Sequence, residues 1–195
     1  MGESKNFHDY IAVARGSDLV IIRVVGRGNM VTAPGLADFV EEQRRAKFTR
    51  FVFDMERCRG LDSTFIGVMV GMYTSLMPQS GLYQSVIHDS YLDANVPVQS
   101  QAQPAPIPFE GSISAVNVSP ELYNLLEMLG ADRFVKMGGT CDLKQLEMTI
   151  LPEKVLPADE RQRMIKRAHE NLVEIDKRNE AKFGEFLKML SKELA

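Results

Sequence analysis

Leu61-Asp62-Ser63-Thr64-Phe65-Ile66-Gly67 joins two segments of opposite habit. Before it, Phe51-Val52-Phe53 is a short continuous apolar run, the pattern of a strand covered on both faces. After it, Ser63 to about Met77 is apolar nearly all round (Phe65, Ile66, Val68, Met69, Val70, Met72, Tyr73), the pattern of a largely buried helix. The seven residues therefore read as a strand–loop–helix junction, with Asp62 or Ser63 at the helix N-cap. Gly67 and Gly71 share one side of that helix and predict a close approach of its backbone to a sheet. Pro78-Gln79-Ser80-Gly81 ends it.

Upstream, Tyr10–Arg15 and Leu19–Val25 are β-rich runs separated by Gly16-Ser17-Asp18, a hairpin signal. Pro34 to about Ala46 places Leu36, Phe39 and Val40 at helical spacing, with Glu41, Glu42, Arg44 and Arg45 on the wet side. Downstream, Ser119-Pro120 opens a second clear helix, with Leu122, Leu125, Leu126 and Leu129 on one face and Gly130 as its C-terminal cap. Arg133–Met137 reads as the final strand. Residues 88–114 hold four of the nine prolines and no periodicity, which predicts a long surface loop. In 157–195, 17 of 39 residues are charged, and Met164, Ala168, Leu172, Ile175, Asn179, Phe183, Phe186, Leu190 and Leu194 recur every three or four positions. That is one long amphipathic helix or two shorter ones, with Gly184 as the expected weak point.

The 195 residues suit one domain plus extensions. A chain 45% hydrophobic and 25% charged is neither disordered nor a rod, and no apolar run reaches the roughly eighteen residues of a transmembrane helix. Met1-Gly2-Glu3-Ser4-Lys5-Asn6 lacks a signal peptide's apolar stretch and, through Asn6, the myristoylation pattern. Two cysteines, Cys58 and Cys141, make no disulfide framework. A reducing, cytoplasmic compartment is the expectation. The net charge of −3 is unevenly spread: Gly60 to Asp132 has seven acids and no Lys or Arg, leaving 23 basic against 19 acidic residues elsewhere. Nucleic-acid binding needs a basic surface, so that middle segment argues against it.

Enzyme signatures are scarce. His8, His88 and His169 show no ligand or triad spacing and read as solvated residues, so neither a metal nor another cofactor is expected. Gly26-Arg27-Gly28 lacks the third glycine of a dinucleotide fingerprint and the Gly-Lys-Ser/Thr of a P-loop. Arg57 and Arg59 flank Cys58 and favour its thiolate, but no resolving cysteine or His stands near it in the sequence. Asp-Ser-Thr before an apolar run is also an ordinary way to start a helix. Its place is special nonetheless. A helix N-terminus tolerates a phosphate, and phosphorylation of Ser63 would add about −1.5 to −2 charges beside Asp62. The effect would fall on a docked partner rather than on folding.

Asp62-Ser63-Thr64-x-x-Gly67 after a strand, followed by Asn117-Val118-Ser119-Pro120-x-Leu122-x-x-Leu125-Leu126-x-x-Leu129-Gly130-x-Asp132-Arg133-Phe134, resembles the STAS domain of bacterial anti-sigma factor antagonists. With the N-terminal hairpin and first helix, the resemblance covers about 10–86 and 115–137. It implies an α/β fold, a mixed sheet flanked by helices, and a serine phosphorylated by a partner kinase. Carried over residue by residue, that serine is Ser63, with Thr64 as a second acceptor; Asp62, Ser63, Thr64, Phe65 and Met69 form the partner-binding surface. The implied partners are an anti-sigma factor that is itself a serine kinase and a PP2C-type phosphatase. The protein would be substrate and binding partner, not an enzyme.

Three features depart from the simple pattern. Phe65 stands where such antagonists often have Gly. The 88–114 loop leaves two candidates, Tyr83–Ile87 and Ile113–Val118, for the strand before Asn117. The extension is absent from minimal antagonists and has three uses open to it: packing on the domain, pairing with a second copy, or binding another protein. The expected layout is a STAS domain over 8–137, a connector over 138–156 and a helical extension over 157–195. The alternative function is a scaffold or transporter-accessory protein that assembles through the extension. Nucleotide binding is a third class, for which no phosphate-cradling loop is evident.

Overall fold

The structure, a computed structural model, describes residues 8–76 and 113–194. β1 (Tyr10–Arg15) turns at Gly16, whose N–H donates to Leu19 O at 2.8 Å, into the antiparallel β2 (Val20–Gly28). On β2, Val20, Ile22 and Val24 are fully buried on one side of the sheet, and Ile21 is buried on the other with Val52 and Val116. That period of two fits a sheet covered on both faces. β3 (Phe51–Asp54) lies parallel to β2 with all four residues buried, as the apolar run predicts. β4 (Cys58–Leu61), which the sequence did not signal, pairs with the far end of β2 across a register shift between Gly26 and Arg27. Gly26 has φ +78°, and a Cβ there would stand 2.2 Å from Asp9 Oδ1.

β5 (Ile113–Val116) runs parallel to β3 and settles which segment precedes Asn117. Ile113 and Ser114 therefore belong to a strand rather than to the 88–114 loop; the rest of that loop and Tyr83–Ile87 lie outside the described residues. Asn117 ends the strand at φ +57°, and its amide stitches the sheet together. Nδ2 donates to Asp54 Oδ1 (2.8 Å) and Cys141 O (2.9 Å), while Oδ1 accepts from Cys141 N–H (2.8 Å). β6 (Val135–Met137) completes the parallel set. It starts later than Arg133 because Ala131–Arg133 form a 3-10 turn, and it is not the last strand. β7 (Thr149–Ile150) follows and pairs antiparallel with β1, giving the order β6-β5-β3-β2-β1-β7 with β4 beside β2. The presumed connector is thus structural: it supplies β7, and its Leu143 covers Ile21, Val52 and Val116.

The helices gather on the face of Val20, Ile22 and Val24. α1 (Ala33–Arg45) buries Leu36, Phe39 and Val40 as its spacing predicts. α2 (Ser63–Leu76) follows β4, and α3 (Pro120–Met128) is capped by Ser119 Oγ, which accepts from Leu122 N–H at 3.3 Å. Gly130 takes the left-handed conformation at φ +70° just after α3.

The extension forms two helices, α4 (Ala158–Ile175) and α5 (Glu180–Glu193), and packs on the domain itself. The break falls at Asp176–Asn179 rather than at Gly184, which sits inside α5. Asp176 leaves the helix in extended backbone, and its carboxylate accepts from Arg178 N–H at 3.0 Å. Asn179, fully buried, donates to Leu129 O (2.9 Å) and Leu172 O (2.8 Å), tying the elbow to α3 and α4. The approach expected at Gly67 and Gly71 is real, but α4 makes it, not a sheet. A Cβ on Gly67 would lie 2.2 Å from Ala168 O, and one on Gly71 2.4 Å from Asn171 Nδ2. Asn171 Nδ2 donates to Gly67 O at 3.0 Å across this seam.

Candidate functional site

The first turn of α2 is fastened by Asp62. Its Oδ1 accepts from Phe65 N–H at 2.8 Å, the N-cap bond, and its Oδ2 accepts from Met30 N–H at 2.9 Å, while its own N–H donates to Gly28 O at 2.9 Å. Of the two residues the sequence offers as cap, Asp62 makes the capping bond. Ser63 becomes the first helical residue, half-buried, where free backbone N–H groups and the helix dipole leave a partial positive charge.

Ser63 does not face solvent alone. His169 on α4 places Nε2 2.9 Å from Ser63 Oγ, and its Nδ1 lies 2.8 Å from Ile165 O. A carbonyl oxygen only accepts, so Nδ1 donates to Ile165 O and Nε2 is the ring atom that meets the Ser63 hydroxyl. The ring is 5% exposed and held edge-on between Phe183, at 4.7 Å, and Phe186, at 5.1 Å. The expectation of a solvated His169 is therefore wrong. The signal available in the sequence was its register: His169 stands next to Ala168 and three before Leu172, on the apolar stripe of the helix.

The remaining expected site residues divide by burial. Thr64 is 5% exposed and closed in. Phe65 and Met69 are fully buried core residues, so neither offers a surface to a partner; Phe65 packs beneath β2, where a Cβ on Gly28 would come within 2.9 Å of its ring. Phe65 thus supports the junction from below rather than shielding Ser63 from above. Cys58, despite its arginine neighbours, has its thiol pKa pushed up by burial, with backbone hydrogen bonds from Gly60 and Gly28 opposing. It is an ordinary cysteine here.

A hydroxyl bound to an imidazole that a carbonyl orients has the order of a nucleophile–base pair. Acyl transfer also needs N–H donors free to receive an oxyanion. The N–H of Phe65, two residues on, is already committed to Asp62, which leaves those of Ser63 and Thr64 at the helix end. What the pair does hold is a single serine hydroxyl, fixed in direction at a helix N-terminus by a residue of another element. Among the described residues, no group of three His, Cys, Asp or Glu is placed to hold a metal ion, and no helix is long and apolar enough to cross a membrane.

Solved structures resemble the chain. The NMR structure of TM1081 has 17% identity and a TM-score of 0.46, with 72% of this chain and 91% of that one covered. The crystal structure of TM1081 from Thermotoga maritima, a candidate anti-sigma factor antagonist, has 15% identity and a TM-score of 0.46 over 68% and 87%. An anti-sigma factor antagonist from Mycobacterium paratuberculosis has 16% identity and a TM-score of 0.45 over 69% and 88%. No family model and no curated protein matches the chain.

Proposed function

We propose that the protein is an anti-sigma factor antagonist that works by partner switching through Ser63. The unphosphorylated protein binds an anti-sigma factor that is itself a serine kinase, and so releases a sigma factor for transcription. Phosphorylation of Ser63 breaks that complex, and a PP2C-type phosphatase restores it. The observation that carries the reading is the position of Ser63: first residue of an Asp62-capped helix, directly after the sheet, in a motif that resembles the family's. A phosphate there meets the favourable end of the helix dipole, so α2 itself accepts it. A docked partner meets about two added negative charges on a chain segment already lacking Lys and Arg, and such a partner presents a basic surface. The surface is narrower than the sequence implies. It centres on Ser63 and the edge of Asp62, with Thr64, Phe65 and Met69 fixing their positions from within the core.

The test begins with intact-mass spectrometry and site mapping on protein from its native cells, followed by recovery of the kinase by pull-down. With that kinase in hand, Ser63→Ala retains binding and loses phosphorylation, while Ser63→Asp weakens binding by about tenfold or more, as a charge placed in a docking face does. If both variants bind the kinase as the unaltered protein does, the reading fails.

A further inference from the structure

We infer that the α4–α5 extension is a built-in cover for the switch, held shut by His169 on Ser63 and forced open when Ser63 carries a phosphate. The inference rests on the reading of Ser63 as the modified residue. It starts from three separate features of one seam. Oγ of Ser63 is 2.9 Å from Nε2 of a ring that two phenylalanines hold in place. Behind it, α2 offers no side chain at Gly67 or Gly71; the α4 backbone at Ala168 fills the first space to within 2.2 Å of where a Cβ would be, and the Asn171 side chain fills the second. Asn171 then binds Gly67 O, so the bare helix face is read by a specific donor.

Phosphoryl transfer acts directly on this contact. The Ser63 Oγ–P bond forms as the bond from the γ-phosphorus of a nucleoside triphosphate to its bridging oxygen breaks; the diphosphate leaves and the hydroxyl proton passes to a base of the kinase. The product oxygen has no proton to donate. The hydroxyl that met His169 Nε2 is gone, and a dianion stands in its place while Nδ1 stays turned to Ile165 O. The tetrahedral group must also stand where only a hydrogen bond separated Oγ from the ring. Turning Oγ aside to make room breaks the same bond. The approach of a kinase has the same requirement: α4 must lift from the N-terminus of α2 before Ser63 is reached. The cover and any partner docked over Ser63 therefore compete for one surface.

The experiment needs no kinase. Full-length protein with phosphoserine installed at position 63 by codon expansion is compared with the unmodified chain by amide hydrogen exchange. Exchange in α4 rises by about tenfold or more, as loss of its docking contacts implies, while β2 and β3 stay protected. Gly67→Ala reaches the same open state without touching Ser63 or His169, because its methyl displaces the Ala168 backbone. His169→Ala gives a smaller rise in the same segment. Unchanged protection of α4 with phosphate in place overturns the cover, and so does a protonated ring that pairs with the phosphate and slows exchange. Neither result touches the switch itself, which stands or falls on mapped phosphate at Ser63 and on partner binding.

Discussion

Arg23 and Asp54 show how much one side chain can hold. Asp54, at the end of β3, is fully buried and accepts from Arg23 Nε at 2.7 Å, from Asn117 Nδ2 at 2.8 Å and from Glu56 N–H at 3.1 Å. Arg23 also donates to Leu143 O at 2.6 Å, so the pair fastens the 138–148 segment over the sheet. Arg23→Met leaves the carboxylate buried without its counter-charge, and the expected cost is about 3–5 kcal/mol, read as a lower midpoint in urea. A loss below about 1 kcal/mol would show that water reaches Asp54 freely. At this scale the sequence was partly readable. Ser119 announced itself as a cap, and the α2 cap was narrowed to Asp62 or Ser63, because capping is local chemistry. His169 was less readable: its register beside Ala168 marked a ring turned inward, but its partner is 106 residues away and no local pattern names it.

Among the elements, α1, α2 and α3 were legible from the spacing or density of their apolar residues and, for α2 and α3, from their starts; the stop expected for α2 at 78–81 lies outside the described residues. β4 was not: Cys58-Arg59-Gly60-Leu61 has no apolar alternation, and pairing with β2 alone makes it a strand. The α4–α5 break was misplaced for a related reason. Glycine weakens a helix everywhere, but Asp176 breaks this one actively, by offering its backbone a competing turn. Gly184→Ala is accordingly a stabilising change: the new Cβ meets only Glu180 Cγ, at 3.6 Å, and the helix gains about 0.5–1 kcal/mol, visible as a higher melting temperature. The elbow itself is acid-sensitive. Hydrogen bonds from the Arg178 side chain hold the Asp176 carboxyl below its ordinary pKa of 3.8, against the opposing effect of burial. A carboxyl depressed in the folded state adds stability that is complete above its unfolded pKa and disappears as pH falls through the folded one. Asp176→Asn therefore destabilises the protein at neutral pH, and its difference from the unaltered chain closes below about pH 3.8, as acid titrations of unfolding will report.

For the molecule as a whole, the extension is inseparable from the domain in the unmodified state. Leu172 and Ile175 belong to the same core as Phe65, Ile66 and Leu126. Thermal unfolding followed through helix content and through aromatic packing should give coincident, single transitions; an early transition carrying only helical signal would mean that α4–α5 is separately stable. The α/β architecture could be foreseen from alternation, apolar runs and caps. The covering of the second face by Leu143 could not, because a single leucine in a polar segment carries no period. The short strand β7 has a further effect. It gives β1 a partner of only two residues, Leu151 N–H adds one more bond to Ile11 O at 2.8 Å, and Pro152 then ends the ladder with no N–H to offer. A stray strand arriving at that border finds too short a template to extend, so the hairpin that begins the fold is shielded from seeding a chain-to-chain fibril.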